Sequence, residues 1–115
     1  MEQKEKLYDV IIIGGGPAGL SAAIYTARAR YRVLVVEKAG VGGQITITSE
    51  VVNYPGVESA SGSELTRAMK KQAENFGAEF LMAEVLDVEL EGDVKTLHTT
   101  AGDYQALGVV IATGA

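Results

Sequence analysis

The stretch that decides the fold opens with Tyr8-Asp9-Val10-Ile11-Ile12-Ile13, turns through Gly14-Gly15-Gly16-Pro17-Ala18-Gly19, and closes on Val33-Leu34-Val35-Val36-Glu37. A continuous apolar run of β-branched residues is the pattern of a strand covered on both faces in a parallel sheet. It stops abruptly at Gly14. Pro17 suits the first turn of a helix, where its missing N–H costs nothing, and Ala18 to Arg30 is alanine-rich with Leu20, Ala23, Ile24 and Ala27 at helical spacing. Arg32 to Glu37 then reads as a second buried strand ending in an acid. Strand, helix and strand within about thirty residues is the length of a right-handed crossover unit.

Beyond this unit, Lys38 to Ser61 turns to Gly, Thr, Ser and Asn without sustained periodicity, a loop long enough to be functional or disordered. Ser61 and Glu64 have capping-box spacing, and Leu65, Met69, Ala73 and Phe76 form an apolar stripe that Gly77 ends, which predicts a second helix. Ala78 to Met82 returns as a third parallel strand. Val85 to Glu91, Val94 to Thr100 and Tyr104 to Ala106 alternate between Glu-Gly-Asp and Ala-Gly-Asp turns, as an antiparallel meander would. Leu107 to Ala112 is read as a further buried strand. The expected fold is therefore α/β and Rossmann-like, in three layers, with a parallel sheet and a small antiparallel meander.

With 115 residues the chain has room for one core. Its 47% apolar content and 14 glycines against 2 prolines fit a globular domain that uses glycine for turns and close backbone approach. A net charge of −5 and a pI near 4.8 argue against a nonspecific nucleic-acid surface or a polybasic membrane anchor. Met1 to Lys6 is charged and is followed at once by a short strand, so neither a signal-peptide core nor a bilayer-spanning run is found, and a cytoplasmic protein is expected. The chain has no cysteine, which removes disulfides, thiolate metal sites and any dithiol chemistry performed by these residues alone.

Gly14, Gly16 and Gly19 fit G-x-G-x-x-G. The first allows a tight strand-to-helix turn, the second lets backbone approach a pyrophosphate, and the third lets the helix sit against the strand. The helix start adds free N–H groups and partial positive charge for the phosphates. Glu37, at the end of the second strand, is placed to accept hydrogen bonds from a ribose diol, and an acid there disfavours a 2′-phosphate. These residues predict a dinucleotide without separating NAD from FAD. Gly42-Gly43 permits another close approach, and Gln44, Thr46, Thr48 and Asn53 supply neutral donors and acceptors suited to a flavin, although a glycine- and hydroxyl-rich loop with local turns would read the same.

Taken in order, Gly14 to Gly19, Glu37, Gly42-Gly43-Gln44, Asn53-Tyr54-Pro55-Gly56 and Ala112-Thr113-Gly114 resemble the low-molecular-weight thioredoxin reductases of the two-dinucleotide-binding flavoprotein family. The resemblance implies FAD. Gly14, Gly16, Pro17, Ala18, Gly19, Glu37 and Lys38 would hold its pyrophosphate and adenosine ribose, and Gly43 and Gln44 would follow the phosphate and ribityl part. Thr48 and Asn53 would lie near the isoalloxazine, Val85 would contact adenine through its backbone, and Ala112, Thr113 and Gly114 would complete the site. It further implies an NADPH-dependent thioredoxin-disulfide reductase, a homodimer, in which electrons pass from NADPH through FAD to a Cys-x-x-Cys and on to a thioredoxin-like protein. The NADPH domain and its cysteines do not occur in residues 1–115. We therefore expect an N-terminal FAD-binding segment whose flavin domain is incomplete, with exposed apolar surface and weakened FAD retention. The alternatives are a stand-alone nucleotide-binding module and the flavin segment of a ferredoxin- or peroxidase-linked reductase.

Three further groups receive bland readings. His98 is expected at a solvated strand position, with no carboxylate partner placed by a motif. Asp87, Glu89 and Glu91 read as a solvent-facing strand surface, and Arg28, Arg30 and Arg32 as charge favoured at a helix C-terminus. No catalytic or metal-binding residue is assigned.

Overall fold

The computed structural model describes residues 7–38 and 62–112. In chain order these form β1 (Leu7–Ile13), α1 (Pro17–Arg28), β2 (Val33–Glu37), α2 (Gly62–Asn75), β3 (Glu79–Met82), β4 (Val85–Glu89), β5 (Lys95–Thr99) and β6 (Gly102–Ile111). One sheet joins the strands in the order β3-β2-β1-β6-β5-β4. Strands β3, β2, β1 and β6 run parallel, and β5 and β4 continue antiparallel from β6. The expected α/β class and the meander are both present. The loop expected over Lys38 to Ser61 lies, apart from Lys38, outside the described residues.

Two apolar clusters flank the parallel strands. Ile12, Val33 and Val35 pack against Ala23 and Ala27 of α1, Ala73 of α2 and Ala78. The alanines matter because they let helix backbone approach the sheet closely. The second cluster joins Ile11, Ile13, Leu34 and Val36 to Leu97 and Ala106, with Val85, Val88 and Tyr104 packed alongside. The three layers are thus helices, parallel strands and meander. Burial of β1 and β2 on both faces, read from their unbroken apolar runs, is realised by helices on one face and meander on the other.

Three expectations need correction. Tyr104 to Ala106 and Leu107 to Ala112 are not separate strands: β6 runs unbroken from Gly102 to Ile111. One of its edges pairs with β5, from Thr99↔Gly102 to Lys95↔Ala106, and the other with β1, from Leu7↔Gln105 to Ile13↔Ile111. The change in hydropathy near Ala106 marks a change of neighbours along one strand. Nor is its second half buried, since Leu107, Val110 and Ile111 are exposed; α1 packs on β1 and β2 instead, and α2 packs against α1. Along α2, Ala73 is buried as expected but Phe76 is exposed, beneath the Arg28 guanidinium at 5.7 Å. Thr66 takes a fully buried place that the apolar stripe did not mark.

The two described helices end in the same hydrogen-bond pattern. After α2, Gly77 N–H donates to the Glu74 carbonyl (2.9 Å) and Ala78 N–H to the Ala73 carbonyl (3.0 Å), with Gly77 at φ 104°. After α1, Arg30 N–H donates to Ala27 (2.9 Å) and Tyr31 N–H to Thr26 (3.2 Å), but the left-handed position, φ 71°, is held by Arg30. This is the Schellman closure, whose pivot favours glycine, and it stops α1 at Arg28, two residues short of the expected end. Among the described residues no helix is long and apolar enough to cross a membrane.

The meander carries an unexpected cluster. His98 on β5 sits between strands β4 and β6, with Nε2 2.6 Å from Glu89 Oε2 and Nδ1 2.9 Å from Asp103 Oδ1. It therefore has two carboxylate partners where the sequence reading placed none, because strand register supplies them from nine and five residues away. Hydrogen bonds to Glu89 and then Asp103 raise its pKa above the usual 6.5.

Two measurements follow. Arg30→Gly should relieve the left-handed strain and stabilise the chain by about 1 kcal/mol, roughly 4 °C in melting temperature by calorimetry. Because the folded-state pKa of His98 is raised, its contribution is fully present below pH 6.5 and is lost as pH rises through the raised value. Thermal melts across this window should show that loss, and His98→Gln should flatten it.

Candidate dinucleotide site

The carboxyl ends of β2, β1 and β6 lie side by side. Gly14 N–H donates to the Val36 carbonyl (2.9 Å), and Ala112 N–H to the Ile13 carbonyl (2.8 Å), so the last residues of all three strands converge on the glycine turn. β1 connects through α1 to β2 on one side and pairs with β6 on the other. Such a switch in direction opens a crevice at the strand ends, where α/β sheets bind ligands.

Each glycine of the turn has a distinct physical cause. Gly14 takes φ 120°, which only glycine adopts without strain. At Gly19 an added Cβ would lie 1.9 Å from the Gly14 carbonyl oxygen, so the helix is seated directly on the strand end. Gly16 is different. Its backbone is extended (φ −78°, ψ −172°), and a Cβ there would meet nothing among the described residues within 4 Å. Neither conformation nor packing among the described residues calls for glycine at this position. Open space against backbone at a helix start is what a pyrophosphate would fill.

The rest of that helix start fits the same group. Gly16 is the N-cap of α1 without a side-chain capping bond, Pro17 lies in the first turn, and that turn carries no acid. Ala18 is exposed. The partial positive charge of the helix is therefore left for an outside anion.

Glu37 stands beside the turn at the end of β2. Its Oε2 accepts a hydrogen bond from Gly15 N–H and its Oε1 one from Lys38 N–H, both at 2.8 Å. Ala83 N–H donates to the Glu37 carbonyl (3.1 Å), and Lys38 Nζ lies 3.9 Å from Glu84 Oε2 on the surface. These contacts bring the segment before β4, and hence Val85, to the same end of the sheet. Gly14, Gly16, Pro17, Ala18, Gly19, Glu37, Lys38, Val85 and Ala112 thus share one region. Gly43, Gln44, Thr48, Asn53, Thr113 and Gly114 lie outside the described residues. Sequence reading covered Gly15 only within the span Gly14 to Gly19, with no part of its own, and missed Ala83, which only tertiary contact marks.

The opposite end of the sheet is built otherwise. The Tyr8 hydroxyl donates to Glu79 Oε1 (2.7 Å), and the Arg32 guanidinium lies 4.3 Å from the Tyr8 ring centroid and 3.6 Å from Glu79 Oε2. Burial first, then the Glu79 carboxylate, pushes the Tyr8 pKa up to about 12. Arg32 thus braces the start of the parallel strands, a more specific part than charge at a helix end.

A glycine turn seated between parallel strands, with an acid closing the second strand, defines a Rossmann-type dinucleotide-binding segment. Residues 8–115 match the model of the family described as Pyridine nucleotide-disulphide oxidoreductase, and the chain belongs to that family. It is similar to a thioredoxin reductase of Peptoclostridium acidaminophilum, 49% identical over 112 residues that cover 96% of this chain and 36% of the relative. The structure of a thioredoxin reductase from Gloeobacter violaceus superimposes with a TM-score of 0.89 at 37% identity, covering 99% of this chain and 36% of that one. A ferredoxin-flavin thioredoxin reductase from Clostridium acetobutylicum gives 0.76 at 30% identity, with coverage of 94% and 38%. The chain therefore spans little more than a third of the length of these relatives.

The Gly19 contact can be checked directly. Gly19→Ala should destabilise the chain by about 3 kcal/mol, since the obstructing atom is backbone and cannot rotate away. Denaturant unfolding would show the loss as a lower midpoint.

Proposed function

We propose that this chain binds FAD as the flavin segment, residues 1–115, of an NADPH-dependent thioredoxin-disulfide reductase. The observation that carries the proposal is Gly16, a glycine that no described residue crowds, at a helix start without a side-chain cap beside an acid held at the end of β2. On this reading the N–H groups of the turn and the start of α1 hold the pyrophosphate, with Gly14, Gly16, Pro17, Ala18 and Gly19 shaping the approach. Glu37 and Lys38 receive the adenosine ribose, and the backbone at Val85 faces adenine. Gly43, Gln44, Thr48 and Asn53 extend the site along the ribityl and isoalloxazine parts, and Ala112, Thr113 and Gly114 close it.

FAD supplies the relay between a nicotinamide hydride and a disulfide. The chain's own residues bind and orient it. No acid, base or nucleophile is assigned here, and without cysteine these residues perform no dithiol step themselves. The Cys-x-x-Cys and the NADPH site are proposed for sequence beyond these 115 residues, with a cytoplasmic homodimer and a thioredoxin-like acceptor as the assembled form. Similarity to a ferredoxin-flavin enzyme supports a second reading, in which the same flavin segment serves a ferredoxin-linked reductase.

The test uses a substitution that suits the fold and not the ligand. Gly16→Ser places a good N-cap residue at an extended position with open space, so its melting temperature without ligand should equal or exceed the wild type. FAD should raise the melting temperature of the wild type, and Gly16→Ser should bind it at least about tenfold more weakly, since the side chain fills the room for the pyrophosphate. A wild-type chain stabilised by NAD and not by FAD would overturn the cofactor assignment.

A further inference from the structure

Gly15 occupies no position of the glycine fingerprint, and its backbone does not call for glycine either: the positive-φ glycines described are Gly14, Gly77, Gly92 and Gly102. Its neighbour does. A Cβ at Gly15 would lie 3.1 Å from Cγ, 3.2 Å from Cβ and 3.1 Å from Oε2 of Glu37, close enough that the glutamate would have to give way. The bare backbone at this point lets the glutamate lie flat against the turn, where Oε2 takes the Gly15 N–H and Oε1 the Lys38 N–H. The two donors come from different segments, one following β1 and one following β2. Both oxygens of a half-buried carboxylate are therefore held by donors of the chain itself, and each keeps a second lone pair able to accept another hydrogen bond.

We propose that Gly15 and Glu37 form a brace that sets the ribose-binding carboxylate before the dinucleotide arrives, which makes Gly15 a positioning residue of the site. The purpose of the brace rests on the dinucleotide reading above; its existence does not. Holding a glutamate in one rotamer costs conformational freedom. The brace moves that cost from the binding step to folding, so a ligand meets an acceptor already aimed. It also explains the side-chain length at position 37. Aspartate is shorter by one methylene, so its carboxylate keeps the charge but does not span from β2 to the Gly15 N–H. Glutamine keeps the reach and one acceptor oxygen, enough for the Gly15 N–H, but loses the charge and the bond from the Lys38 N–H.

That difference separates a brace from a carboxylate that serves only the ligand. Amide hydrogen exchange at Gly15 is measured by NMR on the ligand-free chain, wild type, Glu37→Asp and Glu37→Gln. Exchange should be about tenfold faster in Glu37→Asp and within about twofold of wild type in Glu37→Gln, because protection follows reach and not charge. Wild-type exchange in Glu37→Asp would overturn the brace, as would Glu37→Gln exchanging as fast as Glu37→Asp. Titration of the same three proteins with FAD tests the parent reading separately. A wild-type chain that takes up no FAD overturns that reading and the purpose given to the brace, whereas the exchange pattern alone decides whether the brace exists.

Discussion

The seat of α1 on the end of β1 is the contact on which the rest of the molecule depends. Gly19 lies so close to the Gly14 carbonyl that no side chain fits between them, and Gly14 makes the turn in a backbone conformation that other residues reach only under strain. Two consequences follow from this close approach. It brings Ala23 and Ala27 onto Ile12, Val33 and Val35, which closes the helix side of the core. It also fixes the helix start, which has no side-chain capping bond, at the carboxyl ends of the strands. Packing and ligand geometry share one cause.

Strand β6 is the second organising element. By pairing parallel with β1 along one edge and antiparallel with β5 along the other, it joins the parallel sheet to the meander without a break. The meander then covers the face of β1 and β2 that the helices leave open, through Leu97, Val85, Val88 and Tyr104. Because β4 begins next to Ala83, whose N–H is bound to Glu37, the same arrangement carries Val85 to the glycine turn. The layer that completes the core also supplies part of the site.

Charge is distributed along the parallel strands in opposite ways at their two ends. At the amino ends, Tyr8, Arg32 and Glu79 form a self-contained set in which each polar group already has a partner inside the chain. At the carboxyl ends the helix start has no capping side chain and Glu37 retains accepting capacity. The first arrangement holds the sheet together; the second leaves hydrogen-bonding capacity for a ligand.

The sequence by itself determined the βαβ unit, the two helices, the meander and the residues of the turn, because each has a local signature: an unbroken apolar run, helical periodicity, turn glycines at fixed offsets. Glu37 was legible because its position follows from the length of that unit. What only the tertiary structure decided are relations between distant residues. That β6 is one strand with two partners, that His98 lies between Glu89 and Asp103, and that Arg32 stacks on Tyr8 all depend on strand register, which pairs residues far apart in sequence. Arg30 in a position that favours glycine hid the end of α1. Gly15 shows the limit most clearly, since the sequence reveals a third glycine in the turn, but only the fold brings the Glu37 side chain against it and so explains why no larger residue stands there.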